Sequence, residues 1–236
     1  DDTWIRERTG VKSRHISGDK ETTADMAVKA AEKALENSGL LPDEIDLIIV
    51  SSVSSNLVLP STACFVQKAI NAKNAFCFDI NVACTGFITA YNISQTFINT
   101  GLINTALVIG AENLSKITDW RDRKTCILFG DGAGAVVIKK DENAMFETVM
   151  FSNGKNGDAL TMENPFALRK TNLGKNHQGQ FDISFQDIQK TYINMDGGEI
   201  FKFAVKKVPE CIEALLEKIH MDKDEIDKYL LHQANS

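Results

Sequence analysis

Several features are missing from this chain of 236 residues, and each absence excludes a class of protein. No apolar run approaches the ~20 residues that a transmembrane helix needs, and no signal peptide is visible. The net charge is −6, which argues against a general nucleic-acid surface. With 43% hydrophobic and 25% charged residues, the composition is typical of a globular protein with a large core. We therefore expect neither a membrane nor a nucleic-acid partner.

The cysteines lack the pattern of a disulfide framework or a zinc site. There are five, an odd number, and no Cys-x-x-Cys pair occurs. Four of them lie in apolar or helical patterns and are interpreted as core thiols: Cys64, Cys77, Cys126 and Cys211. This usage indicates a reducing compartment, so a cytoplasmic protein without a metal site is expected.

Apolar residues recur with helical and strand-like spacing in alternation along the chain. Helices are predicted over 23–37, 60–72, 85–99 and 198–220. Strands are predicted over 45–53, 75–82, 105–110, 133–139, 145–151 and 228–231. This alternation predicts right-handed βαβ units and a layered α/β fold.

The segment 79–87, DINVACTGF, is the most informative stretch of the sequence. It predicts a strand, a sharp turn and the start of a helix, with Cys84 at the turn. The first N–H groups of a helix and the positive end of its dipole stabilise a thiolate there. Cys84 is therefore a candidate nucleophile. The alternative is a buried structural cysteine, which is the commoner role of this residue type.

A second candidate is His232, which follows the apolar run 228–231. Ligands of open α/β sheets gather at the carboxyl ends of strands. A lone histidine at such a place is more often structural, but a cysteine and a histidine that both lie at strand ends form a usable nucleophile–base pair.

The segment around Cys84 and six motifs in the family's order resemble the β-ketoacyl-[acyl-carrier-protein] synthase III family of the thiolase superfamily. The motifs are WIRERTG from Trp4, PSTAC from Pro60, Asp122-Arg123, FGDGAG from Phe129, MDGGEIFK from Met195 and HQAN from His232. The resemblance implies a thiolase-like layered fold of two similar halves, divided here into 1–144, with the nucleophile, and 145–236, with the histidine. It also implies a fragment, lacking a short N-terminal head and a longer C-terminal tail, so the second half is expected to be incomplete. Family members have an active-site asparagine in that tail.

The resemblance also implies the reaction and its residues. Cys84 is expected to accept an acyl group from acyl-CoA, and His232 to serve decarboxylative condensation with malonyl-acyl carrier protein. Coenzyme A contacts are expected at Trp4, Arg8, Arg123 and Asn235. Carrier-protein contacts are expected at Lys202 and Gln233. Leu59 matches the position that one subunit of the family's homodimer places at its partner's acyl pocket. No bound cofactor and no metal is implied.

Two of these features have simpler interpretations. The glycine-rich run from Gly130 to Gly134 lacks the Lys-Ser/Thr of a phosphate-binding loop, and we interpret it as a tight turn. The lysines on the predicted helix 198–220, among them Lys202, are more often a solvated face than a docking patch.

Three functions remain open at this point. The first is a condensing enzyme that initiates fatty acid synthesis. The second is a related acyltransferase or condensing enzyme of a specialised, polyketide-like pathway, which the long polar segment 163–187 favours. The third is a non-catalytic partner subunit, although such subunits tend to lose the cysteine that is present here as Cys84. A hydroxymethylglutaryl-CoA synthase is disfavoured because the stretch 50–56 has no glutamate.

Overall fold

The computed structural model describes residues 1–165, 171–175, 178, 181–185 and 190–234, with the backbone alone for 171–175 and 181–185. The helices are α1 (Asp2–Thr9), α2 (Thr23–Ser38), α3 (Thr62–Ile70), α4 (Gly86–Asn99) and α5 (Gly197–Ile219). The strands are β1 (Leu47–Ser51), β2 (Phe76–Ile80), β3 (Thr105–Asn113), β4 (Asp131–Lys139), β5 (Leu160–Thr161), β6 (Thr171–Lys175), β7 (Phe181–Phe185) and β8 (Asn194–Met195).

The centre of the fold is a four-stranded sheet in the order β2-β1-β3-β4. β1 pairs in parallel with β2 on one side and with β3 on the other, as the predicted βαβ units require. β4 runs antiparallel to β3. All five residues of β1 are buried, as in a strand that is covered on both faces.

Helices cover both faces of this sheet and separate two apolar clusters. On one face, Ile48 and Val50 of β1 pack in a cluster with residues of α2 and α3. On the other face, Leu47 and Ile49 pack with residues of α4. The sheet is therefore the middle layer of three, and α4 lies on the face that concerns the nucleophile.

Local sequence signals explain the bounds of α2. Thr22 and Asp25 form a reciprocal capping box at its start, and Gly39 ends it in a left-handed conformation with φ 70°. Both ends agree with the prediction. The helix α1 was not predicted, although Asp1 caps it and Gly10 ends it in the same manner.

Two predicted strands are wrong. Residues 145–151 and 228–231 have no strand geometry, because neither run has a neighbouring strand in the described part of the chain with which to exchange backbone hydrogen bonds. The first run instead packs between α4 and α5. Phe146 lies 5.9 Å from Tyr91, centroid to centroid, and the carbonyl of Thr148 accepts a hydrogen bond from Lys218 at 3.2 Å.

The glycine-rich run is also not the tight turn that was predicted. Asp131 begins β4, so Gly132 and Gly134 lie in a strand, opposite Glu112 and Gly110. Gly130, just before the strand, is required for packing, since a Cβ there would lie 2.9 Å from the Cβ of Arg14.

The remaining elements belong to the second part of the chain. β5 pairs with β8, and β6 with β7, both antiparallel. α5 is the longest helix of the described residues, and the Asp196 carboxylate caps it by accepting from Gly198 and Glu199. A hydrogen bond from Asn92 to Thr148 crosses the predicted division at 144/145, and that division stays a prediction. No described helix has the length and apolarity needed to span a bilayer.

Candidate active site

Cys84 lies on a sharp turn between β2 and α4, as predicted. Residues Ala83–Thr85 form a single 3-10 turn, and α4 begins at the next residue. Ala83 has a φ of 45°, in the left-handed region that residues other than glycine rarely adopt. Cys84 is the exposed member of the five cysteines by residue surface, although protein atoms around its sulfur still displace much of the water there.

Close packing beneath the turn fixes its position. Gly86, the first residue of α4, is buried against Ser51 at the end of β1. A Cβ added to Gly86 would lie 1.8 Å from the Ser51 Oγ. The end of β1 thereby sets where α4 starts, and with it the height of Cys84 above the sheet.

The start of α4 has no side-chain cap. Thr85 occupies the N-cap position, but its side chain accepts no hydrogen bond from the first turn; its hydroxyl donates to the carbonyl of Val82 instead. The first N–H groups of α4 are thus not satisfied by a cap. This end of the helix offers donors and a positive dipole end to an anion that forms at Cys84.

Burial acts on the thiol in the opposite direction. The pKa of Cys84 is raised above its ordinary value, chiefly because surrounding protein atoms displace water, and the negative charge of Glu112 adds to the rise. A hydrogen bond from the backbone N–H of Cys84 itself lowers it in part. The start of a helix was expected to stabilise the thiolate, and these contributions oppose that effect.

Glu112 was not singled out from the sequence. It lies near the carboxyl end of β3, and burial raises the pKa of its carboxyl group while hydrogen bonds from the segment 52–54 lower it. No pattern in the sequence marks it, because its relation to Cys84 depends on the pairing of β1 with β3.

The other four cysteines are partly buried, as predicted for core thiols. The pKa of Cys77 is raised to about 12, first by burial and then by the neighbouring Cys64 and Asp79. A thiol with such a pKa is protonated at neutral pH and is a poor nucleophile. Cys77 is therefore disfavoured as the nucleophile.

His232 is exposed and follows a run without strand geometry. It was predicted to lie at a strand end, and among the described residues no hydrogen bond or ion pair joins it to Cys84. Gln233 is likewise exposed. Asn235, a predicted coenzyme A contact, lies outside the described residues.

Three of the predicted coenzyme A residues, Trp4, Arg8 and Arg123, are exposed on the surface of the first half. The guanidinium carbon of Arg8 lies 5.7 Å from the centroid of the Trp4 ring, one helical turn away on α1. In this structure the indole is covered by Arg8, while Arg123 is exposed.

Leu59 is 79% exposed on the loop before α3. Asp79 of β2 anchors the far end of that loop, because its carboxylate accepts hydrogen bonds from the N–H groups of Thr62 at 2.6 Å and Ala63 at 2.8 Å. The strand that leads to Cys84 therefore also holds the segment that carries Leu59.

Lys202 is exposed on α5 and forms an ion pair with Glu199 at 2.8 Å. Lys207 is paired in the same way with Glu210. These ion pairs partly neutralise the lysines of α5, the helix on which the carrier-protein contact at Lys202 is expected. In the portion of the chain that the structure describes, no three His, Cys, Asp or Glu side chains are grouped closely enough to hold a metal ion.

Comparison with known proteins identifies the family. The profile of 3-oxoacyl-[acyl-carrier-protein (ACP)] synthase III matches residues 78–154, a range that contains Cys84 and Glu112. The β-ketoacyl-[acyl-carrier-protein] synthase III of Clostridium acetobutylicum is 45% identical over 240 residues, which cover 99% of this chain and 69% of that protein. The chain thus spans about two thirds of that relative's length.

Solved structures of similar proteins support the same family. The 3-oxoacyl-[acyl-carrier-protein] synthase III of Aquifex aeolicus superposes with a TM-score of 0.78 at 40% identity, covering 100% of this chain and 68% of that one. The priming β-ketosynthase of the R1128 polyketide biosynthetic pathway gives 0.86 at 30% identity, covering 100% and 67%. The chain has the thiolase-like α/β fold and belongs to the β-ketoacyl-[acyl-carrier-protein] synthase III family of condensing acyltransferases.

Proposed function

We propose that the chain catalyses the initiating condensation of fatty acid synthesis through Cys84. An acyl group passes from acyl-CoA to the Cys84 thiol, and the acyl-enzyme then condenses with malonyl-acyl carrier protein to give 3-oxoacyl-acyl carrier protein and carbon dioxide. The observation that carries the proposal is the exposed Cys84 thiol on a strained turn at the uncapped start of α4, in a member of this family.

In the first half-reaction, the Cys84 sulfur attacks the thioester carbonyl carbon, and the carbon–sulfur bond to coenzyme A breaks. The carbonyl oxygen becomes a transient oxyanion. It is stabilised by backbone N–H groups at the turn, including that of Cys84. The thiol proton ends on the sulfur of coenzyme A, so the step is balanced without a cofactor.

In the second half-reaction, malonyl-acyl carrier protein loses carbon dioxide and leaves an enolate next to its thioester. A neutral His232 imidazole donates its N–H to the enolate oxygen and stabilises the charge. The enolate carbon then attacks the acyl-Cys84 thioester and breaks its carbon–sulfur bond. The Cys84 thiolate that is released takes up a proton from water. The family motif HQAN supports this role for His232. The His232 side chain is exposed, so such a substrate can reach it.

Trp4, Arg8, Arg123 and Asn235 are proposed to bind coenzyme A. The proximity of Trp4 and Arg8 supports this role, because an indole offers a flat face to an adenine ring and a guanidinium offers a positive charge to the phosphates. Lys202 and Gln233 are proposed to contact the acidic carrier protein. For that contact, Lys202 must either leave its ion pair with Glu199 or bind Glu199 and the carrier protein at the same time.

We also propose a homodimer that pairs through β2. This strand is at the edge of the sheet, and its first residue, Phe76, is 43% exposed. An unpaired edge beside exposed apolar side chains is suited to pairing with a second copy. The same association would cover Leu59. The five free thiols support a cytoplasmic enzyme.

A specialised pathway is the second candidate. It is favoured by the 30% identity over the whole chain to a priming β-ketosynthase of a polyketide pathway. The two candidates share the chemistry of Cys84 and differ in the acyl group that they accept.

Intact-mass analysis of the full-length protein, mixed with a panel of acyl-CoAs, tests the proposal. We expect one added acyl group per chain in the wild type, none in Cys84→Ser, and normal labelling in the control variant Cys126→Ser. Labelling of Cys84→Ser equal to that of the wild type would refute the role of Cys84. The preferred acyl group separates the two candidate pathways.

A further inference from the structure

Helix α1, which carries Trp4 and Arg8, has few ties of its own to the rest of the molecule. None of its residues is buried. Among the described residues, every hydrogen bond and ion pair of residues 1–13 is made within that range. The first such tie to a distant part of the chain is made by Arg14, and residues 10–13 separate it from the end of α1. The placement of α1 therefore depends on the segment that begins at Arg14.

Arg14 binds the segment that carries Arg123. Its Nη1 donates to the carbonyl of Phe129 at 2.9 Å and to the carbonyl of Cys126. The Cys126 N–H in turn donates to the carbonyl of Asp122 at 2.9 Å, which closes the turn that contains Arg123. One guanidinium thus connects the chain that leaves α1 with the turn that presents Arg123.

An aromatic ring supports the Arg14 guanidinium. Its central carbon lies over the Trp120 ring, 5.7 Å from the centroid, and a cation at this distance is attracted to an indole. The Trp120 indole is itself fixed, because its N–H donates to the carbonyl of Ser115 at 3.0 Å. Trp120 therefore helps to hold Arg14 where its N–H groups reach the two carbonyls.

Two further hydrogen bonds join the same parts of the chain. The Asp131 N–H donates to the carbonyl of His15 at 2.8 Å. The Asp131 carboxylate accepts from the Ser17 N–H at 2.7 Å. With the two bonds of the guanidinium, four hydrogen bonds connect the segment 14–17 to the segment 126–131.

Gly130 lies inside this contact. A Cβ added to it would lie 2.9 Å from the Cβ of Arg14 and 3.1 Å from the carbonyl oxygen of His15. Neither atom can rotate away as the end of a flexible side chain could, so a methyl group at Gly130 must push the two segments apart. The contact is thus closely packed as well as hydrogen-bonded.

We propose that Arg14 is a positioning residue for coenzyme A, which fixes α1, with Trp4 and Arg8, relative to Arg123. The inference rests on the proposed binding of coenzyme A by these three residues. They belong to two segments that are far apart in the sequence. A ligand that contacts both segments at once binds more tightly when their separation is already fixed, because less freedom is lost on binding.

The test compares two thioesters of the same acyl group in the full-length enzyme: acyl-CoA, and the acyl thioester of N-acetylcysteamine, which lacks the nucleotide. Arg14→Met removes the donors and keeps an unbranched stem. We expect kcat/KM for acyl-CoA to fall roughly tenfold, through KM, because the nucleotide is bound in the ground state and the transition state alike. The value for the short thioester should stay within about twofold of the wild type.

Lys116→Met is the matched control. Lys116 also donates to a carbonyl of the N-terminal segment, that of Glu21 at 2.6 Å, and its loss removes the same charge. It should keep both kcat/KM values. An equal loss for both thioesters in Arg14→Met would overturn the proposal, because it indicates a general disturbance of the enzyme. A loss for acyl-CoA in Lys116→Met as large as in Arg14→Met would overturn it as well, because charge alone would then explain the effect.

If Arg14→Met does not fold, Gly130→Ala decides, since it separates the same two segments while Arg14 is retained. Its control is Gly132→Ala, where nothing lies within 4 Å of an added Cβ. A loss for acyl-CoA alone, in Gly130→Ala alone, is expected. An unchanged value, or an equal loss for both thioesters, would overturn the proposal and leave the proposed function standing. A wild type that is acylated on Cys84 by neither thioester would instead contradict the proposed function.

Discussion

Gly86 lies so close to Ser51 that a methyl group on Gly86 would fall 1.8 Å from the Ser51 hydroxyl oxygen and 3.0 Å from its Cβ. One residue belongs to the start of α4 and the other to the end of β1, and their contact sets the separation between helix and sheet. Cys84 is two residues before Gly86. The position of the nucleophile is therefore coupled to a backbone contact that a side chain would disrupt.

We expect Gly86→Ala to displace the Cys84 turn. The helix start must rise from the sheet, or Ser51 must move within a fully buried strand. Overpacking of this kind costs typically ~1–3 kcal/mol of unfolding free energy. The acylation rate should fall more than stability does, since small misplacements at a reacting group are costly. Urea unfolding and the rate of acyl-enzyme formation measure the two effects.

Gly134→Ala is the matched control for that variant. Gly134 also lies on the central sheet, but nothing is found within 4 Å of an added Cβ. It should retain both stability and acylation. If Gly86→Ala and Gly134→Ala have the same stability and the same acylation rate, the contact between Gly86 and Ser51 does not position the nucleophile.

The elements with strong local signals were predictable from the sequence. The capping box at Thr22 and the left-handed Gly39 bound α2 from within a few residues. The apolar run of β1 and the small residues before Cys84 predicted a buried strand and a sharp turn. In each case the determining interactions are close in sequence, so a periodicity or a cap is enough to reveal them.

Features that depend on distant pairing were not predictable. The run 145–151 has the composition of a strand, and whether it becomes one depends on a partner that no local pattern supplies. The place of Glu112 was not predictable for the same reason. Its carboxylate accepts a hydrogen bond from Val53, which is almost sixty positions away along the chain. The stretch 50–56 contains no carboxylate of its own, but the fold places the carboxylate of Glu112 on β3 in contact with it.

His232→Ala should separate the two half-reactions. An imidazole N–H directed at the enolate acts after the acyl-enzyme has formed, so acylation of Cys84 should continue at nearly the wild-type rate. Loss of one such donor costs about 3–4 kcal/mol in the step that it serves. Single-turnover assays with acyl-CoA alone and with malonyl-acyl carrier protein measure the steps in turn. A comparable loss in both steps would contradict this division.

Phe76→Glu should weaken the proposed dimer. Phe76 is the exposed first residue of the edge strand and lies 6.2 Å from the rings of Phe78 and Phe97. A carboxylate on each copy of a paired edge places like charges in proximity, which disfavours association. Light scattering at micromolar concentration should show a dimer for the wild type and a smaller species for the variant. A wild-type monomer would refute the proposed association through β2.

Leu59→Phe should narrow the range of acyl groups that the enzyme accepts. In acetyl-preferring members of the family the matching position is often phenylalanine, which closes the end of the acyl pocket. Leucine is smaller and more flexible, and at 79% exposure Leu59 has room to adapt once a second copy covers it. The wild type is therefore expected to accept primers that are longer or more branched than acetyl.

The size of the effect is limited, because a methylene or two of extra room discriminates by only ~1–3 kcal/mol. A shift in preference is expected, measured as kcat/KM for acetyl-CoA against longer and branched acyl-CoAs. The neighbouring variant Val58→Phe is the control, since Val58 is similarly exposed on the same loop but is not the matched position. If the wild type accepts acetyl-CoA alone, or if both variants leave the profile unchanged, Leu59 serves the subunit contact without reaching the pocket.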